Sequence, residues 1–301
     1  MLDKLQGIHI ETTNMCTLKC PRCSRTEFIK QFPTRWANTS LNLEHLKQFI
    51  DIDLTGKDIY LCSSYGDTIY YNQLFELVDY FKKAGANITI STNGSHRTRS
   101  WWEQLNQLLD HNDEIIFGID GLPSNFTQYR INADWDSIAT GIEVLRTGSV
   151  RLTWQYILFS FNENNVDEAK QLSVDMGFHK FILMDSDRWD NGTEWLTPNA
   201  GIVHEKSVSK IQWRDKSANI EIDPRCKKDN NMHFIFSSGY YTPCCYMQEH
   251  RFYYKTDFYK NRDQYDISKT TLSKVVDNLK DFYSTLEDAK LNYCTFNCPK
   301  L

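Results

Sequence analysis

The 301-residue sequence has no apolar run approaching the roughly 18 residues that a membrane-spanning helix needs, and its mean hydropathy is −0.55. Residues 1–14 lack the charged, apolar and small-residue zones of a signal peptide. There is no basic surplus: 34 Lys and Arg stand against 39 Asp and Glu, a net charge of −5, so nucleic acid is not an expected partner. Internal repeats, low-complexity tracts and Gly/Ser linkers are also missing. Aromatic residues are not: 17 Phe, 16 Tyr and 8 Trp exclude an intrinsically disordered chain. What is left is a folded chain away from the membrane, long enough for one large domain or a large one plus a small one.

Short β-rich runs alternate with helical patterns through the first 184 residues. Gly7–Thr12, Asp58–Cys62, Ile88–Thr92, Glu114–Ile119, Val150–Leu158 and Lys180–Met184 read as strands. Between them, Leu43–Asp51, Asn72–Ala84, Ser100–Leu109, Asp134–Leu145 and Val166–Met176 read as helices. Leu74, Leu77, Val78 and Phe81 fall on one helical face, and Gly85 and Gly177 serve as stops. Strands spaced by helices predict right-handed crossovers and a parallel sheet, either an open doubly wound sheet or a partial barrel. Ligands then belong at the C-terminal strand ends. The pattern stops near residue 185. A tight hairpin is expected over Phe234–Pro243, and a helix over Thr271–Lys290.

Nine cysteines without an export signal point to metal binding or catalysis rather than a disulfide framework. Cys16, Cys20 and Cys23 have the spacing C-x3-C-x2-C directly after the first strand. Three thiolates on one loop suit a polynuclear soft-metal site with one open iron; structural zinc wants four closed ligands. Spacing alone leaves open a zinc knuckle whose fourth ligand lies elsewhere. Lys19, Pro21 and Arg22 argue against three plain core cysteines. Cys62 stands alone and reads as a packed thiol.

This spacing after a first strand resembles the signature of radical S-adenosylmethionine (SAM) enzymes. The resemblance implies a partial (β/α)6 barrel, a [4Fe–4S] cluster on Cys16, Cys20 and Cys23, and SAM at the open iron. Other segments match in order. Ser64-Tyr65-Gly66-Asp67-Thr68 follows the second strand, where the family touches the SAM amino group. Asn93 ends the third strand, near the expected ribose. Gly118-Ile119-Asp120-Gly121 with Tyr129-Arg130 resembles the "S-I-D-G … Y-R" segment of the branch with a C-terminal SPASM or twitch extension, where the arginine pairs with the SAM carboxylate. Phe161–Asn165 also resembles that branch. The implied SAM-binding residues are Tyr65, Gly66, Asp67, Asn93, Asp120 and Arg130. Two positions depart from the pattern: Arg22 stands where an aromatic is usual, and Gly118 where the family has serine.

The later cysteines form a second group. Cys226 and Cys244 flank the expected hairpin with a turn at Gly239, and Cys294 and Cys298 follow the last helix. By spacing, four thiolates suit structural zinc or an iron–sulfur cluster equally, and Cys245 can replace Cys244. The resemblance favours a twitch-type domain with a second [4Fe–4S] cluster on Cys226, Cys244, Cys294 and Cys298. Five late cysteines are too few for a full SPASM domain. The implied division is a radical SAM core over 1–185, a connecting segment over 186–225, and a hairpin-plus-helix auxiliary domain over 226–301.

The resemblance implies a cytoplasmic oxidoreductase that cleaves SAM reductively and abstracts hydrogen from a small-molecule or peptide substrate. The second cluster would aid a net two-electron oxidation, and an external low-potential donor such as flavodoxin or ferredoxin would supply electrons. An epimerase or peptide-modifying maturase on the same core is the alternative, with Cys62 or Cys245 as hydrogen donor. A non-catalytic iron–sulfur carrier or zinc-stabilised binding module would use the same cysteines. It leaves the Tyr-Gly-Asp, Asp120 and Arg130 segments without a purpose.

Overall fold

Apolar residues alternate with polar ones along the strands, and that period of two decides which side of the sheet is buried. The computed structural model describes residues 5–184, 193–199, 232–244 and 257–279, together with Asp223, Cys226 and Cys298. The strands are β1 (Gly7–Ile10), β2 (Asp58–Leu61), β3 (Asn87–Thr92), β4 (Glu114–Gly118), β5 (Arg151–Ile157), β6 (Lys180–Met184), β7 (Met232–Ile235) and β8 (Tyr241–Thr242). The helices are α1 (Ser24–Gln31), α2 (Leu43–Phe49), α3 (Leu74–Lys83), α4 (Arg99–Asn106), α5 (Trp135–Leu145), α6 (Val166–Asp175) and α7 (Asp257–Lys260), and residues 272–279 are helical as well.

Among the described residues, eight strands lie in one sheet, in the order β6-β5-β4-β3-β2-β1-β7-β8. Strands β1 to β6 are parallel neighbours, as the strand–helix alternation predicts. The sheet does not close into a barrel. One face carries Ile8, Ile10, Ile59, Leu61, Ile88, Ile90, Ile115, Phe117, Leu152 and Trp154, all buried against helix residues such as Leu77, Phe81, Ile138 and Leu145. The other face carries His9, Tyr60, Ser91, Glu114 and Thr153, each the alternate residue. His9 Nε2 lies 2.7 Å from the Cys62 carbonyl, and Thr153 donates to the Glu114 carboxylate.

The local signals sit where the sequence puts them. The Asn42 side chain accepts from His45 N and starts α2, and the Asp134 side chain accepts from Asp136 N and starts α5. Gly85 ends α3 at φ +76°, a conformation that favours glycine. Trp102 is fully buried, as a core anchor should be, and packs beneath Gly141 of α5.

Helix α1, the short helix α7 and the place of the hairpin in the sheet were not predicted. Helix α1 follows Cys23 at once; only Phe28 of its eight residues is buried, so it carries little periodic signal. The hairpin forms as expected, with Phe234 opposite Thr242 and Ile235 opposite Tyr241. Its strand β7 pairs in parallel with β1, Gly7 to Met232 through Ile10 to Ile235, and so continues the same sheet. The segment from 186 on is described only in part, the last helix only over 272–279, and Cys245 and Cys294 lie outside the described residues. Among the described residues, no helix is long and apolar enough to cross a membrane.

Candidate cofactor site

The C-terminal ends of β1 to β5 converge on the loop that carries Cys16, Cys20 and Cys23. The loop is sewn down on both sides. Lys19 N donates to Ile131 O at 3.0 Å, and Asn132 Nδ2 donates to Thr17 O at 3.2 Å. Cys23 N donates to Cys20 O at 3.2 Å, and Glu27 N to Cys23 O at 3.0 Å, which makes Cys23 the N-cap of α1. All three cysteine side chains pack into one small apolar nest with Leu18, Tyr129, Ile157, Phe159 and Leu196. Cys16 Sγ also accepts from Leu18 N at 3.4 Å and faces Asn93 Nδ2 at 3.7 Å. Burial, with the Asp67 carboxylate and the other two thiols nearby, pushes the Cys16 thiol up to about 12. A bare thiolate is therefore disfavoured there, and a cationic metal core is what would draw the proton off. Among the described residues, no three Cys, His, Asp or Glu side chains close on one point as a single-ion site requires. Three thiols on one loop and in one nest suit a polynuclear cluster, in which each ligand takes its own iron.

The loop after β2 lies directly on the cysteine loop. A Cβ on Gly66 would stand 2.2 Å from Thr13 O and 2.7 Å from Asn14 Cα, so only glycine fits. Asp67 N donates to Met15 O at 2.9 Å. The buried Asp67 carboxylate accepts from Ile69 N at 3.2 Å and Asn93 N at 2.7 Å, and also from Asn93 Nδ2. Two of the predicted site residues, Asp67 and Asn93, are thus locked together beside Cys16. Burial raises the Asp67 pKa despite those donors. The Tyr65 ring rests against Phe28 of α1 and Trp36 of the segment after it, with centroids 6.3 and 6.2 Å away, an aromatic wall that the sequence did not announce.

Asp120 and Arg130 form the third part. Asp120 is fully buried; its Oδ1 accepts from Ile157 N at 2.8 Å and its Oδ2 from Arg130 Nε at 2.6 Å. Asn162, buried in the Phe161–Asn165 segment, donates to Asp120 O at 3.2 Å and to Ile157 O at 2.9 Å. The arginine side chain is 18% exposed. Burial works against its charge, but the Asp120 carboxylate outweighs it and the Arg130 pKa rises. Among the described residues no acceptor meets its two terminal nitrogens. A Cβ on Gly118 would stand 2.7 Å from Arg130 Nη2, so the glycine in place of the family serine is the space that this guanidinium fills.

The second cysteine group is partly visible. Cys226 and Cys244 are half-buried and pack against the main core. Asp223 N donates to Cys298 O at 2.7 Å, which brings the C-terminal Cys298 beside the segment that leads to Cys226.

The profile of the radical SAM superfamily matches residues 10–184, more than half of the chain. The chain belongs to the radical SAM superfamily. That family implies a [4Fe–4S] cluster and SAM, and the nest of Cys16, Cys20 and Cys23 fits the cluster. SuiB from Streptococcus suis, in a structure bound to S-adenosylmethionine, is similar with a TM-score of 0.56 and 12% identity, over 85% of this radical SAM chain and 65% of that one. A structure of anSMEcpe with bound AdoMet (SAM) gives a TM-score of 0.60 and 12% identity, over 92% and 78%. These likenesses show the fold. The AdoMet-dependent heme synthase of Methanosarcina barkeri is 25% identical over 203 residues, 61% of this chain. The chain spans about half the length of that curated relative, 52%.

Sequence reasoning passed over two residues of the site. Glu11 drew no role from the sequence as part of the Gly7–Thr12 strand, yet it is 3% exposed at the top of β1. Its place on the polar side of an alternating strand, in step with His9, is the signal that was there to find. Asn162 lay in a matched segment without a role.

Proposed function

We propose that this radical SAM protein is an oxidoreductase whose net reaction is a two-electron oxidation of a peptide or small-molecule substrate. When bound, the cluster and SAM supply a 5′-deoxyadenosyl radical that takes a hydrogen atom from the substrate. Cys16, Cys20 and Cys23 would hold the cluster. Arg130, held at Nε by Asp120, would offer its two terminal nitrogens to the SAM carboxylate. Tyr65, Gly66, Asp67 and Asn93 would line the amino and ribose end. The observation that carries this reading is the Asp120–Arg130 pair beside the thiol nest. A largely buried arginine with its fork open among the described residues is a carboxylate receptor, and neither a zinc module nor an electron carrier needs one.

Cys226, Cys244, Cys294 and Cys298 would hold a second [4Fe–4S] cluster in an auxiliary unit over 226–301, joined to the core over 1–185 by the segment 186–225. A second structure of SuiB is bound to the precursor peptide SuiA, and one of anSMEcpe holds the Cp18Cys peptide; both favour a peptide here. The electron donor would be a flavodoxin or ferredoxin. Cys62 supports a second reading, epimerisation. It is half-buried at the end of β2, and burial pushes its thiol up to about 11, so it keeps the S–H that a hydrogen donor must have.

The test is made on anaerobically purified, iron–sulfur-reconstituted protein. Iron and sulfide are counted, then 5′-deoxyadenosine is assayed with dithionite and SAM, beside a Cys16→Ala/Cys20→Ala/Cys23→Ala variant. About eight irons, with about four kept and all deoxyadenosine lost in the variant, is the expected result. Zinc at the thiolate sites, or iron without SAM cleavage, refutes the proposal.

A further inference from the structure

The Glu11 carboxylate joins three parts of the chain that are far apart in sequence. Oε1 accepts from Tyr65 N at 3.0 Å. Oε2 accepts from Ser237 Oγ at 2.9 Å and Ser237 N at 3.3 Å. Beneath it, Glu11 N donates to Ile235 O at 2.8 Å. The group therefore ties the end of β1 to the Tyr65-Gly66-Asp67 loop on one side and to the β7–β8 turn on the other.

The tie is part of a closed circuit. Thr39 Oγ1 lies 2.9 Å from Ser237 Oγ, and because that hydroxyl donates to Glu11, Thr39 is the donor to it. Thr39 is fixed in turn by Asn14, whose Oδ1 accepts from Thr39 N at 2.8 Å and whose N donates to Thr39 O at 3.1 Å. Asn14 stands two residues before Cys16, and Gly66 is pressed against its backbone. The hairpin turn, the strap around Thr39, the base of the cysteine loop and the loop after β2 thus enclose one another, with Glu11 as the junction.

The chemistry of the junction calls for a carboxylate. The groups that meet it, the backbone N–H of Ser64, Tyr65 and Ser237 and the Ser237 O–H, all donate, and an ionised carboxylate is an acceptor-only group with about four lone-pair sites. Burying it is costly unless those sites are used. A glutamine would turn one of its two ends into a donor facing a donor.

We propose that Glu11 is a positioning residue for SAM. It holds the Tyr65-Gly66-Asp67 loop at a height set by the hairpin, so that the seat of the hairpin governs SAM affinity. This rests on the SAM-binding reading of that loop.

Two variants test it. Glu11→Gln keeps the shape, and Ser237→Ala removes only the hydroxyl. Amide hydrogen exchange on the metal-free full chain is expected to speed up, by about tenfold or more, at residues 63–68 and 235–240 together in Glu11→Gln, with β3 to β5 unchanged. SAM affinity of the reconstituted protein, measured by equilibrium dialysis, is expected to fall about tenfold in Glu11→Gln and about threefold in Ser237→Ala, with iron content and melting temperature kept. The double variant should be no weaker than Glu11→Gln alone, because both act through one link. Unchanged exchange at 63–68 in Glu11→Gln overturns the proposal, and so does unchanged SAM affinity where exchange has risen. Should Glu11→Gln fail to fold, Ser237→Ala decides by the same two readings. Wild-type protein that binds no SAM would remove the SAM reading by itself, while the exchange result would still decide whether Glu11 holds the loop.

Discussion

Replacing Gly118 by serine restores the residue usual in the family, and on the proposal that Arg130 receives the SAM carboxylate it should weaken SAM binding. The added Cβ would stand 2.7 Å from Arg130 Nη2 and 3.4 Å from Cζ, whereas ordinary contact begins at 3.4 Å. The guanidinium must then withdraw by about 0.7 Å or swing aside. It is not free to slide, because Nε is held by Asp120 Oδ2 at 2.6 Å and Asp120 is held by Ile157 N at 2.8 Å. Rotation about the far end of the side chain is what remains, and rotation re-aims the two terminal nitrogens. The fold should notice little, since the strained atoms end a flexible side chain. Losing one charged hydrogen bond to the SAM carboxylate is worth about 1.5–3 kcal/mol, a rise in Kd of roughly 10- to 150-fold. Equilibrium dialysis of SAM against anaerobically reconstituted wild-type and Gly118→Ser protein measures this, with thermal melting as the control. A variant that binds SAM as tightly as the wild type, with its melting temperature intact, refutes the idea that Arg130 receives the carboxylate across Gly118.

Asp120→Asn leaves the Arg130 guanidinium largely buried without its counter-charge, and should lower stability by about 3 kcal/mol or more; urea unfolding of the metal-free protein reads this. Burial pushes the His9 imidazole down to about 4, against the pull of its bond to the Cys62 carbonyl. The unfolded chain therefore binds this proton more readily than the folded one. Stability should be flat above pH 6.5 and fall as pH drops from 6.5 to about 4, by up to about 3 kcal/mol, and His9→Phe should remove that part of the slope. Gly141→Ala would ordinarily favour a helix by about 1 kcal/mol, but here the methyl would stand 2.6 Å from the buried Trp102 ring, and the net effect should be a loss of about 1–2 kcal/mol in thermal or urea unfolding.

The sheet was legible because each strand repeats one rule. Ile8 and Ile10, Ile59 and Leu61, Ile88 and Ile90 put apolar side chains on one face, and the intervening helices fix parallel neighbours. The site was legible where chemistry is packed into short runs: Cys16 to Cys23, Tyr65 to Asp67, Asp120 with Arg130. What escaped depends on contacts between distant segments. No periodicity tells Gly7–Ile10 that it will pair with Met232–Ile235. Helix α1 escaped because it buries Phe28 alone and so carries little periodic signal. Gly118 looked like a lost contact. Its meaning needs the side chain of Arg130, twelve residues on, to be in place.

The direction of strand β7 has a consequence for the two thiol groups. Because β7 is parallel to β1, its end and the turn after it lie at the level of Glu11, on the side of the sheet where Cys16, Cys20 and Cys23 sit. Strand β8 then runs back, with Thr242 opposite Phe234, and Cys244 follows two residues later toward the level of Gly7. At about 3.3 Å per residue, the four steps from Glu11 to Gly7 cover about 13 Å. The hairpin is therefore a strut of fixed length: Ser237 at one end meets the Glu11 junction, and Cys244 stands toward the other. Strand β7 is paired with β1 over all four of its residues and with β8 over two, and a shift by one residue would turn Ile235 and Tyr241 out of the core. The hairpin thus joins Cys244 to the Glu11 junction through a few paired residues, and Ser237→Ala is the substitution that removes its side-chain contact at the junction end.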